Sequence, residues 1–156
     1  MTIRRAKTSD ISGIDSLLYQ VAGVHHNGRP DLFNADSKKY TDDELSEIIS
    51  DESKPVFCAV DDSDNVLGYA FCVIEEYSGD GVMTARKTLY IDDLCVDEKL
   101  RGRHIGSDLC EAVKQFARDI GCYNITLNVW ECNPDAMKFY RAAGMLPYKT
   151  GMEFIL

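Results

Sequence analysis

The second half of the chain alternates strand and helix patterns, and this order is what most constrains the fold. A strand pattern over "KTLYIDDLCVD" (87–97) precedes a helical apolar period that runs from Ile105 to Ile120. Gly121 ends the helical pattern, and the alternating strand "NITLNVW" (124–130) follows. Parallel neighbouring strands need a long crossover connection, usually a helix, so this order favours a parallel pair. The sequence therefore predicts at least one parallel strand pair covered by a helix.

The first half predicts antiparallel strands. "TIRRA" resembles an edge strand, "TDDE" (41–44) is a capping box that opens a short helix, and the strands 55–60 and 66–75 flank the turn "DDSDN". A helix over "NPDAMKFYRAAG" and a final strand "MEFIL" complete the order β-α-α-β-β-β-α-β-α-β. We expect a single domain over 1–156, of the α+β class. Its central sheet would be mixed, mostly antiparallel, with about six to seven strands flanked by about four helices.

Composition excludes several classes of function. Asp and Glu number 26 against 17 Lys and Arg, a net charge of −9, which disfavours nucleic-acid binding because that affinity comes from cations on phosphates. No apolar run approaches the ~20 residues of a membrane span, and "MTIRRAKTSD" lacks a signal-peptide pattern, so we expect a cytoplasmic protein without a membrane partner. The acidic surface would attract cationic ligands, or it serves solubility alone.

The cysteines predict neither disulfides nor a metal site. No two of them form a CxxC pair, and no Cys/His group has zinc spacing. Most lie within apolar runs, so we interpret them as buried, reduced thiols. The six are Cys58, Cys72, Cys95, Cys110, Cys122 and Cys132.

The turn "RGRHIGS" (101–107) concentrates positive charge just before a predicted helix. Helix N-termini leave four N–H groups without partners, and glycine lets the backbone approach an anion closely. Arg101, Arg103 and the Ser107 hydroxyl would complete a pyrophosphate site. The alternative is a solvated turn with an ordinary helix cap. Neither GxxxxGK[ST] nor GxGxxG after a strand is present.

The segments "LYIDDLCV", "RGRHIG", "NITLNVW" and "NPDAMKFY" together resemble the GNAT superfamily of acetyl-CoA-dependent N-acetyltransferases, over about Leu89 to Gly144. The phosphate signature of the family is Arg/Gln-x-x-Gly-x-Gly/Ala, and Arg101 and Gly106 match it. His104 stands where the first family glycine is usual. If this position requires positive φ, histidine costs of order 1 kcal/mol. The spacing looks closest to the diamine and polyamine acetyltransferases.

The resemblance implies acetyl-CoA as co-substrate, no metal, and direct transfer to an amine in a ternary complex. It also implies a homodimer, with "KTGMEFIL" helping to pair the chains. Backbone donors of a strand splayed from its neighbour would hold the pantetheine arm and stabilise the oxyanion. The implied cofactor-binding residues are Leu94, Cys95, Val96, Arg101, Gly102, Arg103, His104, Ile105, Gly106, Ser107, Asn133 and Ala136.

Two catalytic roles are implied for residues of this sequence. Tyr140 lies where the family places its general acid, which would protonate the departing thiolate. Without the resemblance it would be interpreted as a core tyrosine. Asp92 would accept the amine proton or bind an ammonium group, unless it forms a salt bridge with a nearby cation. Neighbouring carboxylates in a strand point to opposite faces, so Asp93 is an alternative base, as is Glu131.

The acceptor site is expected beside the irregular segment 24–40, with His26, Asp31, Phe33, Asp93 and Trp130 as candidates, although Trp130 suits the core as well. The predicted function is acetyl transfer to a small cationic primary amine. Peptide N-termini or aminoglycosides are alternative acceptors. A non-catalytic acyl-CoA sensor is the alternative of another class, and such a module has no use for the acid Tyr140.

Overall fold

A five-stranded mixed sheet forms the centre of the computed structural model, which describes residues 1–156. The strands follow the sheet in chain order from β1 to β5. They are β1 (Thr2–Arg5), β2 (Val56–Val60), β3 (Val66–Tyr77), β4 (Arg86–Val96) and β5 (Asn124–Leu127). The first three pairings are antiparallel, and β5 pairs with β4 in parallel. The parallel pair inferred from the strand–helix–strand order is therefore confirmed.

The chain has four α-helices, α1 (Ile11–Gly28), α2 (Asp42–Ser50), α3 (Ile105–Asp119) and α4 (Pro134–Ala142). Thr41 caps α2, accepting a hydrogen bond from the Glu44 N–H, while the Glu44 side chain returns to the Thr41 N–H, as the capping box predicts. Asn133 caps α4, with Pro134 at its first position. No helix has both the length and the apolar character needed to cross a membrane.

Alternation along the strands divides the core into two layers. Residues such as Cys58 and Tyr69 point to one face and pack against α1 and α2. Their neighbours, such as Phe57 and Ala70, point to the opposite face and pack against α3. The α+β class predicted from the sequence is confirmed, since α1 and α2 supply apolar side chains to one face of the sheet and α3 supplies them to the other.

The predicted strand count was too high. The structure has five strands instead of six to seven, because residues 145–156, including "MEFIL", form neither helix nor strand. This segment carries strand-like residues but forms no backbone hydrogen bond with any strand of the chain. Two boundaries also differ: β5 ends at Leu127 instead of continuing to 130, and α1 continues to Gly28, into the segment expected to be irregular.

Candidate active site

A cleft of about 480 Å³ opens where β4 and β5 separate. Pairing between the two strands ends at Ile91 and Leu127, although β4 continues to Val96. Beyond Ile91 the β5-facing side of β4 therefore borders the cleft instead of a strand. Eight of the residues predicted for the site line this cleft: Phe33, Asp92, Asp93, Leu94, Trp130, Asn133, Ala136 and Tyr140.

A β-bulge sets the direction of both carboxylates. Cys72 pairs with Ile91 and Phe71 with Asp93, so Asp92 is the extra residue of β4. Before the bulge, Ile91 points toward α3; after it, Cys95 points toward α1. The expectation that Asp92 and Asp93 point to opposite faces was wrong, because the bulge reverses the alternation and both line the cleft.

Asp92 is engaged by the segment before α2. Its Oδ2 accepts hydrogen bonds from Lys39 Nζ and from the Tyr40 hydroxyl, each at 2.6 Å. Burial raises the pKa of Tyr40, and the hydrogen bond to the Asp92 carboxylate raises it further. The salt bridge considered as an alternative for Asp92 is the arrangement that the structure shows. Its Oδ2 is thus already paired with a cation.

Asp93 has no cationic partner. It is half-buried, and Tyr69 donates a hydrogen bond from its hydroxyl to Asp93 Oδ2 at 2.7 Å. Tyr69 itself is completely buried, so the hydroxyl is held in place by the core. Burial raises the pKa of Asp93, while the Tyr69 hydrogen bond opposes that rise. Asp93 is therefore a carboxylate whose pKa is raised in the direction that suits a base near neutral pH.

Tyr140 places a protonated hydroxyl at the cleft. The residue is half-buried on α4, and its hydroxyl forms no hydrogen bond with the protein. Burial raises the pKa of Tyr140, and the nearby Cys110 and Asp93 add to the rise. The phenol therefore keeps its proton at neutral pH and is free to donate it to a bound group.

The turn at 101–107 is an array of unpaired backbone donors. The first hydrogen bond of α3 runs from the Asp108 N–H to the His104 carbonyl, and the amides of 102–107 donate to no acceptor in the protein. Arg101 and Arg103 are exposed and form no salt bridge. Six successive amides at a helix N-terminus with two free guanidinium groups suit a polyanion, as pyrophosphate is.

Two residues give this turn its curvature through positive φ. Gly102 has φ +79° and His104 has φ +64° with ψ 3°. Histidine in this left-handed region carries strain of order 1 kcal/mol that glycine would not. Gly106 marks a close approach between α3 and α4, since an added Cβ would lie 3.3 Å from the ring of Phe139 on α4.

Gln20 of α1 braces the end of β4. Its Nε2 donates to the Val96 carbonyl at 3.0 Å, and its Oε1 accepts from the Glu98 N–H at 2.9 Å. Cys95 packs on the same side, with burial raising its pKa to about 12, so it is an inert core thiol instead of a cleft residue. Neither Cys95 nor Val96 lines the cleft, whereas Leu94 does.

The acceptor side of the cleft is built from aromatic residues. Phe33 packs edge-on against Trp130, with ring centroids 5.2 Å apart, and His25 lies 5.0 Å from Phe33. Trp130 is 43% exposed, so the core interpretation of this residue was wrong. The structure does not bring His26 or Asp31 into the cleft lining. His26 Nδ1 contacts the Phe33 carbonyl at 2.7 Å, and Asp31 is paired with Arg29.

His25, which the sequence also offered as a residue able to line the acceptor site, does line the cleft. Sequence reasoning missed several other residues of the cleft, namely Lys38, Lys39, Tyr90 and Asn128, together with Leu18, Val21 and Ala22 of α1. Tyr69, which orients Asp93, was also missed. Asn128 Nδ2 donates a hydrogen bond to the Tyr90 hydroxyl at 3.1 Å, next to the point where β4 and β5 separate. The paired "KK" of segment 24–40 was the available signal for Lys38 and Lys39, but no local pattern shows that both lysines line the cleft while only His25 of the paired "HH" does.

No group of three or more His, Cys, Asp or Glu residues in the structure could hold a metal ion. Four cysteines are buried, Cys122 is intermediate and Cys132 is exposed, and all six are free thiols. Most of the thiols are therefore buried and reduced, as the sequence predicted.

Comparison with known proteins gives several relatives of this chain. Bovine thialysine N-epsilon-acetyltransferase is 36% identical over 58 residues, which cover 37% of this chain and 34% of the enzyme. Glucosamine 6-phosphate N-acetyltransferase of Arabidopsis thaliana is 29% identical over 90 residues, covering 49% of this chain and 58% of that enzyme. The matches thus span about a third and somewhat over half of these two curated relatives.

Among solved structures, a mutant of the BH1408 protein from Bacillus halodurans is 31% identical, covers 100% of this chain and 99% of its own, and gives a TM-score of 0.96. An aminoglycoside N-acetyltransferase in complex with CoA, 17% identical with a TM-score of 0.73, shares the fold. The model of the "Acetyltransferase (GNAT) family" matches residues 23–145, most of the chain. This chain therefore belongs to the GNAT family of acetyltransferases.

Proposed function

We propose that this protein is an acetyl-CoA-dependent N-acetyltransferase that acetylates the primary amine of a small cationic molecule. The proposal rests on one observation: the wall of a single cleft contains both a group that can accept a proton and a group that can donate one. Asp93 is a carboxylate without a cationic partner, and Tyr140 is a protonated phenol without a hydrogen-bond partner. Acetyl transfer to an ammonium group requires one group that accepts a proton and another that donates one.

The residues present fit the co-substrate that the family uses. The unpaired amides of 102–107, with Arg101 and Arg103, would hold its pyrophosphate. The backbone of Leu94–Val96, freed by the early end of the β4–β5 pairing, would hold its amide arm, together with Asn133 at the start of α4. Acetyl-CoA supplies the thioester-bound acetyl group and a thiolate leaving group.

Asp93 supports the role of proton acceptor better than Asp92 does. Asp92 Oδ2 is shared between Lys39 and the Tyr40 hydroxyl, so a proton there would have to displace a cation. Asp93 faces the cleft with its pKa raised by burial, and Tyr69 orients it. Asp92 would instead hold Lys39 at the cleft wall. Glu131, the other alternative base, is exposed and does not line the cleft.

Tyr140 would hold the proton that the departing thiolate receives. A phenol of ordinary pKa ~10 is a weaker acid than a thiol near ~8.5, and burial raises the pKa of Tyr140 further. The phenol therefore stays protonated until the thiolate needs a hydrogen bond at the moment of its departure. The partner-free hydroxyl loses no protein contact by serving that group.

The preference for a small cationic amine rests on Asp93 and on the size of the cleft. A carboxylate without a counter-ion attracts an ammonium group, and about 480 Å³ suits a small molecule. The aromatic wall of Phe33 and Trp130 offers cation–π contacts as well. Relatives named for thialysine and for glucosamine 6-phosphate are consistent with a small amine acceptor.

An amine panel with acetyl-CoA tests the activity directly. Polyamines, lysine analogues, amino sugars, aminoglycosides and short peptides would be incubated with the protein, and acetylated product followed by mass. We expect turnover with a small polybasic or lysine-like amine. Products from peptides alone would refute the small-amine preference, and binding of acetyl-CoA with no turnover of any amine would favour a sensor module.

Tyr140→Phe tests the assigned acid. We expect the rate to fall about 10²–10⁴-fold while acetyl-CoA binding by calorimetry and the free energy of unfolding stay nearly unchanged, because the lost hydroxyl has no partner in the protein. Tyr123→Phe is the matched control, since it removes the same atom from a side chain that is 78% exposed and outside the cleft. A Tyr140→Phe protein with the wild-type rate would remove Tyr140 from the mechanism.

A further inference from the structure

The acceptor side of the cleft carries nitrogen-bearing side chains as well as carboxylates. Lys39 and His25 line it together with Asp92 and Asp93. The acetyl transfer proposed above assigns no role to Lys39 or His25. An acceptor that carried ammonium groups alone would be repelled by a cation in the cleft wall, so Lys39 needs a separate explanation.

Lys39 keeps most of its hydrogen-bonding capacity for a ligand. Its Nζ donates to Asp92 Oδ2 at 2.6 Å, and no other acceptor of the protein binds it. An ammonium group has three donors, so two of them remain free. The side chain is 45% exposed, and Nζ lies 5.3 Å from the centroid of the Tyr40 ring. Asp92 and Tyr40 therefore hold the ammonium group in place at the cleft wall without covering it.

His25 offers a second free donor. Its ring packs on Phe33, with centroids 5.0 Å apart, and forms no hydrogen bond with the protein, unlike His26, whose Nδ1 contacts the Phe33 carbonyl. A neutral imidazole carries a proton on one of its two nitrogens and can donate it. The Phe33 contact thus fixes the ring while both nitrogens stay open.

Lys38, the other lysine of the cleft lining, is engaged within the protein. It pairs with Asp15 of α1 and with Asp42 at the start of α2. Two carboxylates share its charge, and the contacts fix the segment before α2 to both helices. Lys39 is therefore the lysine of the cleft with the greater capacity for a bound anion.

Both free donors lie close enough to Asp93 to act on it. Burial raises the pKa of Asp93, the Tyr69 hydrogen bond opposes that rise, and the electrostatic effects of Lys39 and His25 oppose it as well. Such effects weaken with distance. A small molecule with its ammonium group at Asp93 thus has a second polar site within the same cleft.

We propose that the acceptor is a basic amino acid, whose carboxylate is bound by Lys39 and His25 while one of its ammonium groups lies at Asp93. One positive charge that is already shared with Asp92 suits a monoanion better than a dianionic phosphate. An amino acid with a basic side chain remains cationic overall, as the acidic chain of net charge −9 favours. The inference rests on the proposed acetyl transfer and names its acceptor class.

Pairs of acceptors that differ only in the carboxylate test the inference. L-lysine is compared with cadaverine and L-ornithine with putrescine, and glucosamine 6-phosphate with glucosamine is the arm for a phosphate. We expect kcat/KM with acetyl-CoA to be about 10–100-fold higher for at least one of the two amino acids than for its decarboxylated partner, the factor that a hydrogen bond to a charged group is worth.

The outcomes separate this inference from the acetyl transfer on which it rests. Equal turnover of both members of each pair would overturn the carboxylate site and leave the acetyl transfer standing. A preference confined to glucosamine 6-phosphate would give the site to a phosphate and refute the carboxylate. No turnover of any amine by protein that binds acetyl-CoA would refute the acetyl transfer, and the inference with it.

Substitution of Lys39 tests the residue itself. Lys39→Met should reduce the preference for the amino acid at least about 10-fold, while acetyl-CoA still binds by calorimetry, and Lys39→Arg should retain most of the preference. Lys54→Met is the matched control, because Lys54 is 47% exposed and pairs with Asp51, as Lys39 pairs with Asp92, but lies outside the cleft. A Lys39→Met protein with the wild-type preference would overturn the role of Lys39.

His25→Phe tests the second donor. The substitution keeps an aromatic ring for the contact with Phe33 and removes both nitrogens. We expect the preference for the amino acid to fall about 3–10-fold, less than for Lys39→Met, because a neutral donor contributes less than a charged one. An unchanged preference would remove His25 from the carboxylate site.

Discussion

Removing the Tyr69 hydroxyl offers a direct test of which carboxylate accepts the proton. Tyr69 is completely buried and donates to Asp93 Oδ2 at 2.7 Å, and this hydrogen bond is what opposes the rise that burial causes in the pKa of Asp93. In Tyr69→Phe the ionised carboxylate loses that donor while its burial stays. The pKa of Asp93 must therefore rise further.

The size of the shift follows from the energy of the lost contact. A hydrogen bond to a charged group is worth about 1.5–3 kcal/mol, and one pKa unit is about 1.4 kcal/mol, so the pKa of Asp93 should rise by about 1–2 units. Because a raised carboxyl pKa means that ionisation destabilises the fold, stability lost by the variant should be largest above this pKa and recover as the pH falls below it.

The assay is the pH dependence of kcat/KM, which reports the pKa values of the essential acid and base in the free enzyme. For Tyr69→Phe the acid limb should move upward by about 1–2 pH units, while the limb set by the amine of the substrate stays in place. Tyr40→Phe is the matched control, because it removes the corresponding hydroxyl from Asp92. An acid limb that moves in Tyr40→Phe but not in Tyr69→Phe would refute the assignment of Asp93 and restore Asp92.

Three further outcomes are expected. His104→Gly should raise the free energy of unfolding, measured in urea, by up to about 1 kcal/mol. The substitution relieves left-handed backbone strain of about 1–2 kcal/mol, and the greater conformational freedom of glycine in the unfolded chain offsets part of that gain. No gain would mean that His104 is unstrained. Gly106→Ala should shift the half-buried Phe139 ring by a few tenths of an ångström and change stability by less than about 1 kcal/mol, because the helix preference of alanine over glycine offsets the tighter contact. A loss of more than about 2 kcal/mol by the same measurement would show that α4 cannot yield. A thiol reagent should modify the exposed Cys132 quickly in the native protein and leave Cys58 unmodified, because Cys58 is buried and burial raises its pKa to about 12. Rapid modification of Cys58, measured by mass spectrometry, would contradict its burial.

The sequence by itself determined the features that depend on neighbouring residues. The helical period after Ile105 and the strand patterns on either side favour a parallel pair, and the structure has it between β4 and β5. The turn at 101–107 was predictable for the same reason, because its donors are consecutive amides at a helix start. Such features arise from local backbone geometry, which short stretches of sequence specify.

Only the tertiary structure decided the roles of the two adjacent carboxylates. One inserted residue in β4 reverses the alternation, so that Asp93 follows Phe71 toward α1 instead of Ile91 toward α3. Their partners come from distant segments, Lys39 for Asp92 and Tyr69 for Asp93. A local sequence pattern does not show where a bulge occurs. Nor does it show which distant residue the strand register places beside a carboxylate.

Residues 145–156 show the same difference between what the local sequence pattern predicts and what the tertiary structure forms. Their sequence predicts a strand, but a strand forms only where a second strand pairs with it, and within one chain none does. The local sequence pattern allows this segment to form a strand. Whether the strand forms depends on a second strand that pairs with it. Long-range hydrogen bonding thus decides what local propensity alone leaves open.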